Sequence, residues 1–405
     1  MDKDVKALAG WRCVFLANGF TGVPQPSGGT THFAEVATHW LDDGLDVSIQ
    51  TCAIGVENLK MEGYPGRFVL APLDWGSSRT LLGWLLMYGT RMVSVPFVLP
   101  WRSPWVLLYG TSDLFVDTIP CFLAKVSRRR RFRWVNCVWH LLPEPSLRQG
   151  SRLVNTLAFL AQKFSLALIK AAADLVLVDN AVLKEQLVAL GFLPESVYVT
   201  SMGVDLPPAP STDDRLYDAC YMGRLHPSKG IYELVDVWKK VSEAHPGARL
   251  AVVGTGREEF VEEFEARIER AGLKDAVDVM GYLPREKLHE VLYSSKVFVF
   301  PSHEEGFGIS LLEGMAHGLP AVAFELPHYH EVFGNTLQTV PMGDVESMAA
   351  TLTGLLGDEG RRAELAEQGR ILGEKYTWRS VARREAEAIA RVVEGIGAER
   401  GAPDG

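Results

Sequence analysis

Apolar residues in this chain form short runs that alternate with longer stretches of helical periodicity. In the first half, the short runs predict strands at residues 12–16, 46–51, 105–109, 134–139 and 175–178. Apolar residues three and four positions apart predict helices at residues 30–42, 153–172 and 181–190. Strands that alternate with helices build a parallel sheet covered by helices on both faces. The first half therefore predicts a doubly wound α/β domain.

The same alternation starts again after a stretch of prolines and small polar residues. That stretch, DLPPAPSTDDRL at residues 205–216, has little to bury and predicts a linker. Beyond it we predict strands at residues 219–222, 250–253, 277–280, 297–300 and 321–324, and helices at 230–245, 258–271, 285–294, 309–316 and 345–356. We therefore expect two Rossmann-like domains, residues 1–204 and 217–377, that face each other across a cleft. Parallel sheets bind ligands beyond the carboxyl ends of their strands, so chemistry is expected in strand-to-helix loops.

Composition and charge narrow the class of protein. The 405 residues are 47% hydrophobic, 22% charged and 10% aromatic, as in a packed globular protein. The net charge is −9, with +3 on residues 1–200 and −12 on the rest. Because nucleic-acid binding needs basic charge to replace phosphate counterions, no nucleic-acid partner is expected. The odd set of five cysteines, without a CxxC pair, predicts buried reduced thiols in a cytoplasmic protein, and we expect no signal peptide.

Residues 75–109 are the candidate membrane contact. Arg91, Arg102 and three prolines break this region into apolar runs too short to span a bilayer. Four tryptophans and a nearby basic cluster fit a peripheral contact with anionic lipid on the cytoplasmic face of a membrane: Trp75, Trp84, Trp101 and Trp105, and Arg128 to Arg131 with Arg133. The alternative is that the tryptophans are core residues and the arginines form a solvated loop.

The sequence PSHEEGFGISLLEGMAHGLPAVAF, residues 301–324, is the most informative segment. A buried strand is expected to end just before it, followed by a loop that presents Glu305 and then by a short helix. Gly306 and Gly308 let the backbone approach a ligand, and the free N–H groups at a helix start favour an anion such as phosphate. The segment therefore predicts a phosphate-binding loop.

Each acidic residue of this segment also has a structural interpretation. Glu313 lies about one turn into the helix, and Ser310 to Glu313 fits a capping box in which the carboxylate only satisfies the helix start. For Glu305, the alternative is a solvated loop acid at a favourable dipole end. The local sequence leaves both alternatives open.

A second cluster lies in YMGRLHPSKGIYELVDVW, residues 221–238. A strand is expected to end at Gly223, with Arg224 next, and Ser228 is expected to cap a helix that has Lys229 in its first turn. Cations avoid this end of a helix because the dipole there is positive. Lys229 at such a place indicates a site that needs positive charge, where it and Arg224 would neutralise a diphosphate. The alternative is two solvated basic residues on a loop.

Loops of the first half supply further candidates. Gly28 and Gly29 follow the first strand in a loop before an amphipathic helix, where their N–H groups could meet a phosphate, although such a pair is often only a turn. His140 ends the run WVNCVWH and is expected to project from a strand tip, although a lone histidine is more often a core or surface residue. Thr111 and Asp113, in a similar loop, are expected to line the acceptor side.

Taken in order, these motifs resemble the retaining glycosyltransferases of family four, which have the GT-B fold. The resemblance covers residues 18–320 and is carried by Gly28-Gly29, His140, the segments 173–178 and 203–205, Gly223-Arg224, Lys229-Gly230, the segment 281–284, and Glu305 with Glu313. The motifs in this order are specific for the family, although no single motif is. By resemblance, a final helix at residues 378–395 would cross back to complete the first domain before a tail at 396–405.

The resemblance also implies a role for the matched residues. The implied donor-binding set is Gly28, Gly29, Gly223, Arg224, Lys229, Gly281, Tyr282, Leu283, Glu305, Phe307, Gly308, Ile309 and Glu313. Within it the two cations would bind the diphosphate, Glu313 the ribose hydroxyls and the loop at 281–283 the base. Glu305 and the backbone of residues 307–309 would hold the sugar and phosphates, while His140 would face the reacting carbon.

The implied reaction transfers a sugar from a nucleotide-diphosphate sugar to a hydroxyl acceptor with retained configuration. UDP-sugars are the first expectation for the donor and GDP-mannose the second, and a membrane lipid or lipid-linked glycan is one expected acceptor. The single Asp-x-Asp pair lies at residues 2–4 and no HExxH is present, so metal-independent chemistry is expected. Residues 326–331, LPHYHE, depart from the family's glycine pair before a glutamate and leave sugar selectivity open. The alternatives are a catalytically silent scaffold and a sugar-nucleotide epimerase.

Overall fold

The computed structural model describes residues 3–22, 27–76, 80–147, 151–208 and 215–394 of the chain. The chain divides into two compact units. The N-terminal unit comprises Met1–Gly203 with Trp378–Gly405, and the C-terminal unit is Val204–Thr377. The middle of the predicted linker and the whole predicted tail lie outside the described residues.

A seven-stranded parallel sheet organises the N-terminal unit. Its strands are β1 (Arg12–Ala17), β2 (Asp46–Thr51), β3 (Arg67–Leu70), β4 (Val106–Gly110), β5 (Phe132–Cys137), β6 (Leu175–Val178) and β7 (Val197–Val199). They lie in the order β3-β2-β1-β4-β5-β6-β7, so the winding reverses between β1 and β4. Every residue of β4 and β6 is buried, as expected for strands covered on both faces. The five strands expected from the sequence are present within two residues of their predicted bounds, and β3 and β7 are short additional edge strands.

Seven helices of the described residues accompany this sheet before the linker. They are α1 (Lys3–Ala7), α2 (Gly28–Asp42), α3 (Ala53–Met61), α4 (Leu81–Val98), α5 (Phe115–Ser127), α6 (Arg152–Ala172) and α7 (Ala181–Ala189). The sequence analysis predicted α2, α6 and α7 but neither of the long helices α4 and α5. An interior proline ordinarily argues against a helix, and Pro96 and Pro120 lie inside these two.

The C-terminal unit is built on a six-stranded parallel sheet of order β10-β9-β8-β11-β12-β13. Its strands are β8 (Tyr217–Met222), β9 (Leu250–Val253), β10 (Val277–Gly281), β11 (Ser295–Phe300), β12 (Ala321–Phe324) and β13 (Leu337–Val340). Its helices are α8 (Ile231–Ala244), α9 (Glu258–Arg270), α10 (Arg285–Tyr293), α11 (Ile309–Ala316), α12 (Tyr329–Phe333), α13 (Val345–Gly357) and α14 (Glu359–Lys375). All predicted elements of this unit are present, and β13, α12 and α14 are additional.

The last helix, α15 (Trp378–Glu394), packs against α1 and α2 of the N-terminal unit. Its Glu385 is fully buried and accepts hydrogen bonds from the hydroxyls of Tyr109 at 2.8 Å and Thr200 at 2.7 Å. Nε2 of His32 lies 2.9 Å from the same carboxylate. A buried carboxylate needs such partners, so these contacts fix where the final helix lies.

All five cysteines are buried and unpaired, as the sequence predicted. Burial raises the pKa of Cys13 and of Cys220 to about 12. Thiols that stay protonated are poor nucleophiles, so these cysteines pack and do not react.

One helix of the described residues, α6, is long and apolar enough to cross a membrane by length and composition. No membrane-spanning segment was expected from the sequence, which predicted α6 as an ordinary helix of the domain. In the fold, α6 packs on α5 and joins β5 to β6, which are neighbours in one sheet.

Candidate active site

The loop between β11 and α11 carries the acidic residues predicted to bind a donor. Its Gly308 is the N-cap residue of α11 at φ +97°, a left-handed conformation that favours glycine. A Cβ at this position would also lie 3.3 Å from two neighbouring side chains. Since the helix starts after Gly308, Ser310 lies inside it and does not cap it, so the capping-box interpretation of Glu313 is wrong. The first N–H groups of α11 have no partner within the helix, and the positive end of its dipole lies there.

Lys229 follows β8 on a turn and not on a helix. A 3-10 turn at Pro227–Lys229 precedes α8, whose N-cap is Gly230 at φ +67°. The predicted cap, Ser228, lies inside this turn, so the prediction of Lys229 in the first turn of a helix is wrong. A Cβ at Gly230 would overlap the carbonyl of Pro301, and glycine therefore lets this turn approach the acidic loop.

Lys229 and Glu305 form an ion pair where the two loops meet. Nζ of Lys229 lies 2.8 Å from Oε1 of Glu305 and donates to the carbonyl of Glu304 at 2.7 Å. Oγ of Ser302 donates to the same Glu305 oxygen at 3.0 Å. Both charged side chains are only 16% exposed. The ammonium is therefore held in one place, just before the start of α11.

Two further contacts hold these loops together. The N–H of His303 donates to the carbonyl of Ser228 at 2.9 Å. Nε2 of His303 lies 2.9 Å from Oε1 of Glu233, in the first turn of α8. The sequence analysis missed Ser302 and His303, because their roles depend on contacts with a segment far earlier in the chain.

Arg224 adds exposed positive charge to the same region. The pKa of nearby His226 is lowered, first by burial and then by Arg224, with smaller contributions from Arg257 and Lys229, while Glu304 raises it. The three cations that contribute to this shift, Arg224, Arg257 and Lys229, give the region a positive potential. Such a region favours phosphate groups.

The predicted base-binding loop follows β10. This strand ends at Gly281, at φ +66°, and the carbonyl of Gly281 accepts from the N–H of Gly254 at 2.8 Å. Tyr282 is largely exposed and Leu283 half-buried. Because β10, β9, β8 and β11 are parallel neighbours, the loops after them lie along one edge of the sheet. The role of this loop in base binding stays a prediction.

The remaining donor-side residues lie on or beside α11. Glu313 is half-buried, and its carbonyl accepts from the backbone N–H of His317 at 3.2 Å and lies 2.7 Å from Nδ1 of the same residue. Phe307 is buried against the rings of Phe333 and Tyr376, with centroid distances of 6.1 and 5.7 Å. The side chain of Phe307 therefore supports the loop, which leaves its backbone for a ligand. Ile309 is the first residue of α11.

The segment that departs from the family pattern forms the short helix α12 and the residues before it. His328 and Tyr329 are buried, and burial lowers the pKa of His328 to about 4. The pKa of Tyr329 is raised by burial and by the charge of Glu305. This segment therefore lies close enough to the acidic loop for the charge of Glu305 to affect Tyr329.

Gly28 and Gly29 form the first turn of α2, not a loop before it as predicted. The N-cap of α2 is Ser27, whose Oγ accepts from the N–H of Thr30 at 3.3 Å. A Cβ at Gly29 would lie 3.3 Å from Nε1 of Trp139. Residues 23–26 of the predicted loop lie outside the described residues.

His140 lies beyond the tip of its strand, because β5 ends at Cys137. The prediction of a strand-tip histidine is wrong in this respect. Its side chain is exposed, and its carbonyl accepts from Nε2 of Gln162 at 3.0 Å. The same Nε2 donates to Oδ2 of Asp113 at 2.7 Å, and Oε1 of Gln162 accepts from the N–H of Leu142 at 2.8 Å. Gln162 thus joins two segments that the sequence singled out separately.

Gln162 was not predicted as a site residue, because it lies in α6, where the sequence pattern indicated only packing.

The surroundings of Asp113 act on its pKa in opposite directions. Burial raises the pKa of Asp113, while the hydrogen bond from Gln162 and the charge of His140 lower it. A half-buried carboxylate with these neighbours can accept a hydrogen bond from a ligand.

Thr111 has a defined structural role. Its Oγ1 donates to the carbonyl of Leu16 at 2.8 Å, and its own carbonyl accepts from Nε1 of Trp139 at 2.9 Å. Thr111 is buried. The first bond ties the end of β4 to β1 and the second ties it to the segment after β5, so Thr111 shapes this edge of the sheet.

A buried polar network lies just beyond the end of β1, and the sequence did not predict it. Asn18 donates to Oδ1 of Asp117 from its backbone N–H at 2.8 Å and from Nδ2 at 3.0 Å. Nε2 of Gln50 donates to Oδ1 of Asn18, and Nη1 of Arg91 donates to the Asn18 carbonyl, each at 3.0 Å. Burial raises the pKa of Asp117 to about 7, although the bonds from Asn18 lower it. The network fixes the backbone at the carboxyl end of β1.

The described residues contain no group of three or more His, Cys, Asp or Glu side chains arranged to hold a metal ion. The site residues of the C-terminal unit are instead cations, one paired carboxylate and the N–H groups of a helix start. This combination suits a phosphate ligand.

The unit that carries the Lys229–Glu305 pair matches a known family. Residues 207–372 match the family model for glycosyl transferases group 1. The match takes in most of the C-terminal unit. It includes both loops that form the pair, so the cationic site lies inside the part of the chain that is similar to group 1 glycosyltransferases.

Curated relatives are similar to this protein over part of the chain. Identity is 30% over 240 residues with a D-inositol 3-phosphate glycosyltransferase of Xylanimonas cellulosilytica, covering 51% of this chain and 54% of that protein. It is 31% over 180 residues with a phosphatidyl-myo-inositol mannosyltransferase of Mycobacterium leprae, covering 44% and 46%. The chain thus spans about half the length of these two relatives.

Solved structures are similar over nearly the whole chain. HepE of Anabaena, in complex with UDP and glucose, superposes with a TM-score of 0.73 at 18% identity, covering 94% of this chain and 100% of HepE. Two parallel sheets flanked by helices and this superposition give the GT-B fold, as the sequence predicted.

Proposed function

We propose that this protein transfers a sugar from a nucleotide-diphosphate sugar to a hydroxyl acceptor, with retention of configuration and without a divalent metal. The observation that carries the proposal is the Lys229 ammonium, fixed 2.8 Å from Glu305 beside the start of α11 and inside the matched family domain. Fixed cations next to helix N–H groups are what a departing diphosphate needs.

Departure of the diphosphate is the step that these residues serve. As the bond between C1 of the sugar and the phosphate oxygen breaks, negative charge grows on the diphosphate. Lys229 and Arg224 supply positive charge, and α11 supplies N–H groups, so the leaving group is stabilised most when its charge is greatest. The diphosphate competes with Glu305 for the Lys229 ammonium, which frees the carboxylate to accept hydrogen bonds from sugar hydroxyls.

Retention requires attack on the face from which the leaving group departs. The acceptor oxygen bonds to C1 as the bond to the phosphate oxygen breaks, and the acceptor proton passes to an oxygen of the leaving phosphate. A double-displacement route needs a carboxylate nucleophile at C1 of the sugar; in the glycosidases that use this route, a second carboxyl group lies about 5 Å away. In this proposal Glu305 accepts hydrogen bonds from the sugar hydroxyls, so the route has no protein nucleophile.

We propose UDP-sugars first and GDP-mannose second as donors. The UDP bound to HepE supports the first, and the mannosyltransferase relative supports the second. Glu313 is proposed for the ribose and residues 281–283 for the base. Asp113 and Thr111 are proposed for the acceptor side, with His140 for the sugar. The proposed acceptor is a lipid or lipid-linked glycan at the cytoplasmic face of a membrane, an idea that the name of the Mycobacterium leprae relative supports.

The test is release of nucleoside diphosphate from a panel of UDP- and GDP-sugars, with and without a lipid extract, in the presence and absence of chelator. Release with one donor, dependent on the extract and unaffected by chelator, is expected. NMR of the product gives the anomeric configuration, which should match that of the donor.

Other outcomes of this assay identify the alternatives. No release with any donor, despite donor binding by calorimetry, would indicate a silent scaffold. Conversion of a donor into its epimer without release of diphosphate would indicate an epimerase. Loss of activity with chelator, restored by added magnesium, would refute the metal-independent route.

A further inference from the structure

Helices α4, α5 and α6 turn large apolar side chains to solvent. The most exposed are Leu82 and Phe97 on α4, at 78% and 77%. The others that are at least two-fifths exposed are Leu85, Leu86, Val93, Leu123, Val126, Leu153, Val154, Leu157, Leu160 and Phe164. A solvent-exposed apolar surface of this extent marks an interaction site. We call these twelve residues the α4–α6 face.

The three helices form one surface because α5 packs on both α4 and α6. Their inner sides are committed to the core, through residues such as Val95, Cys121 and Ile169. With 18 residues in α4 and 21 in α6, the surface extends for roughly 30 Å along the helices. The exposed side chains therefore lie on one continuous side of the N-terminal unit.

The charges on these helices have one sign. The single acidic residue of α4, α5 and α6 is Asp117, which is buried. Arg152 and Lys163 are exposed on α6, and α5 leads into the exposed Arg128 to Arg131. Those four arginines, with Val126 and Ser127, line a shallow depression of about 370 Å³. An apolar surface with exposed cations beside it is thus present on a chain of net charge −9, and Asp74 and Asp174, which contact these helices, are paired with Arg91 and Lys125.

We propose that the α4–α6 face binds the surface of an anionic lipid bilayer, with the apolar side chains entering the interface and the arginines contacting lipid headgroups. Anionic lipid complements both features, since cations near such a surface and apolar side chains within it each stabilise binding. A second copy of the chain would instead bring like charges together, which opposes association. The sequence suggested part of this surface, namely the region that contains α4 and the cluster Arg128 to Arg131. Trp84 and Trp101 pack against buried cores and Arg133 lies 3.6 Å from Asp174, whereas leucines and phenylalanines of α4 and α6 are exposed and form the contact.

The α6 helix lies on the bilayer in this proposal and does not cross it. Its Asn155, Ser165 and Ile169 are buried against the unit, and its ends join two neighbouring strands of the sheet. Insertion across a membrane would separate β5 from β6 and remove the packing of α6 on α5. An amphipathic helix held on one side suits the interface plane.

Sedimentation with vesicles, without donor or acceptor, tests this proposal independently of the proposed function. The full chain should bind phosphatidylcholine vesicles that contain phosphatidylglycerol, bind pure phosphatidylcholine weakly, and release as salt is raised. Leu157→Glu with Leu160→Glu should weaken binding at least about tenfold, because each leucine loses its burial in lipid. Arg129→Glu with Arg130→Glu should remove the preference for anionic vesicles. Both variants change exposed side chains, so their melting temperatures should match the wild type.

The matched control is Leu193→Glu, because Leu193 is 63% exposed in the same unit but outside the α4–α6 face. It should bind vesicles as the wild type does. The proposal is overturned if the wild type binds no vesicles, or if the leucine variant and this control bind equally. It is also overturned if light scattering shows a dimer that the leucine variant disrupts while vesicles are not bound, since the face would then join two copies.

Discussion

Replacing Lys229 by methionine tests the site most directly, because methionine keeps an unbranched apolar stem and removes the ammonium with its charge and its hydrogen bonds. In the structure, Nζ of Lys229 lies 2.8 Å from Glu305 and 2.7 Å from the Glu304 carbonyl. In the variant, Glu305 loses the ammonium and keeps the hydrogen bond from the hydroxyl of Ser302. Both a stability effect and a catalytic effect are expected, and their sizes differ.

The stability effect follows from the environment of the pair. At 2.8 Å and an effective dielectric constant of 20, the attraction is about 6 kcal/mol before desolvation is counted. Exposed pairs contribute about 0–1 kcal/mol, whereas breaking a fully buried pair costs about 3–5 kcal/mol. With both side chains 16% exposed, we expect the variant to lose about 2 kcal/mol of unfolding free energy.

The catalytic effect is expected to be larger. Removing one preorganised group that stabilises transition-state charge typically costs about 3–4 kcal/mol, or roughly a hundredfold to a thousandfold in turnover. Diphosphate release with the preferred donor should therefore show kcat reduced about that much in Lys229→Met, at a temperature where the variant is fully folded.

The matched control is Lys240→Met. Lys240 pairs with Glu346 at 2.6 Å in the same unit, but on an exposed surface away from the loops of the site. This variant should keep wild-type kcat. The reasoning is refuted if Lys229→Met turns over within about threefold of the wild type, since a transition-state cation cannot be worth so little.

Three further outcomes are expected. Gln162→Leu should lower kcat about tenfold by releasing the acceptor-side segments, whereas Glu185→Gln on the exposed surface of α7 should not. Equal kinetics of the two variants would refute a positioning role for Gln162. The folded-state pKa of Asp117, about 7, lies above its unfolded value, so its contribution to the unfolding free energy is complete below about pH 4 and is lost as pH rises through 7, by roughly 4 kcal/mol at most. Asp117→Asn should reduce this dependence of the unfolding free energy on pH, measured by denaturant titration. An unchanged dependence would contradict the raised pKa of Asp117. Gly308→Ala should lower the unfolding free energy by about 1–2 kcal/mol and raise the KM for the donor, because φ is +97°. The control Gly272→Ala, at φ +73° in open space, should lower stability without changing KM. A normal KM in Gly308→Ala would exclude a donor role for that turn.

The order of elements was readable from the sequence because buried parallel strands are short apolar runs and surface helices have a period of 3.6 residues. The bounds of β2, β6, β9, β12 and α11 agree with the predicted ones. Helices α4 and α5 were not predicted, since each contains a proline that the surrounding packing tolerates. The edge strands β3 and β7 were not predicted, because most of their residues are half-buried or exposed and they lack the fully buried apolar run of the central strands.

The sequence by itself determined that a cationic turn and an acidic loop follow two buried strands, since composition and chain order place them there. Only the tertiary structure decided that Lys229 meets Glu305, because this contact depends on β8 and β11 being neighbours although several elements separate them in the chain. The tertiary structure also decided that Gln162 joins Asp113 to the segment that contains His140. Local pattern records which side chains are buried, whereas contacts between distant residues arise from the order of strands in the sheet and the packing of helices upon it.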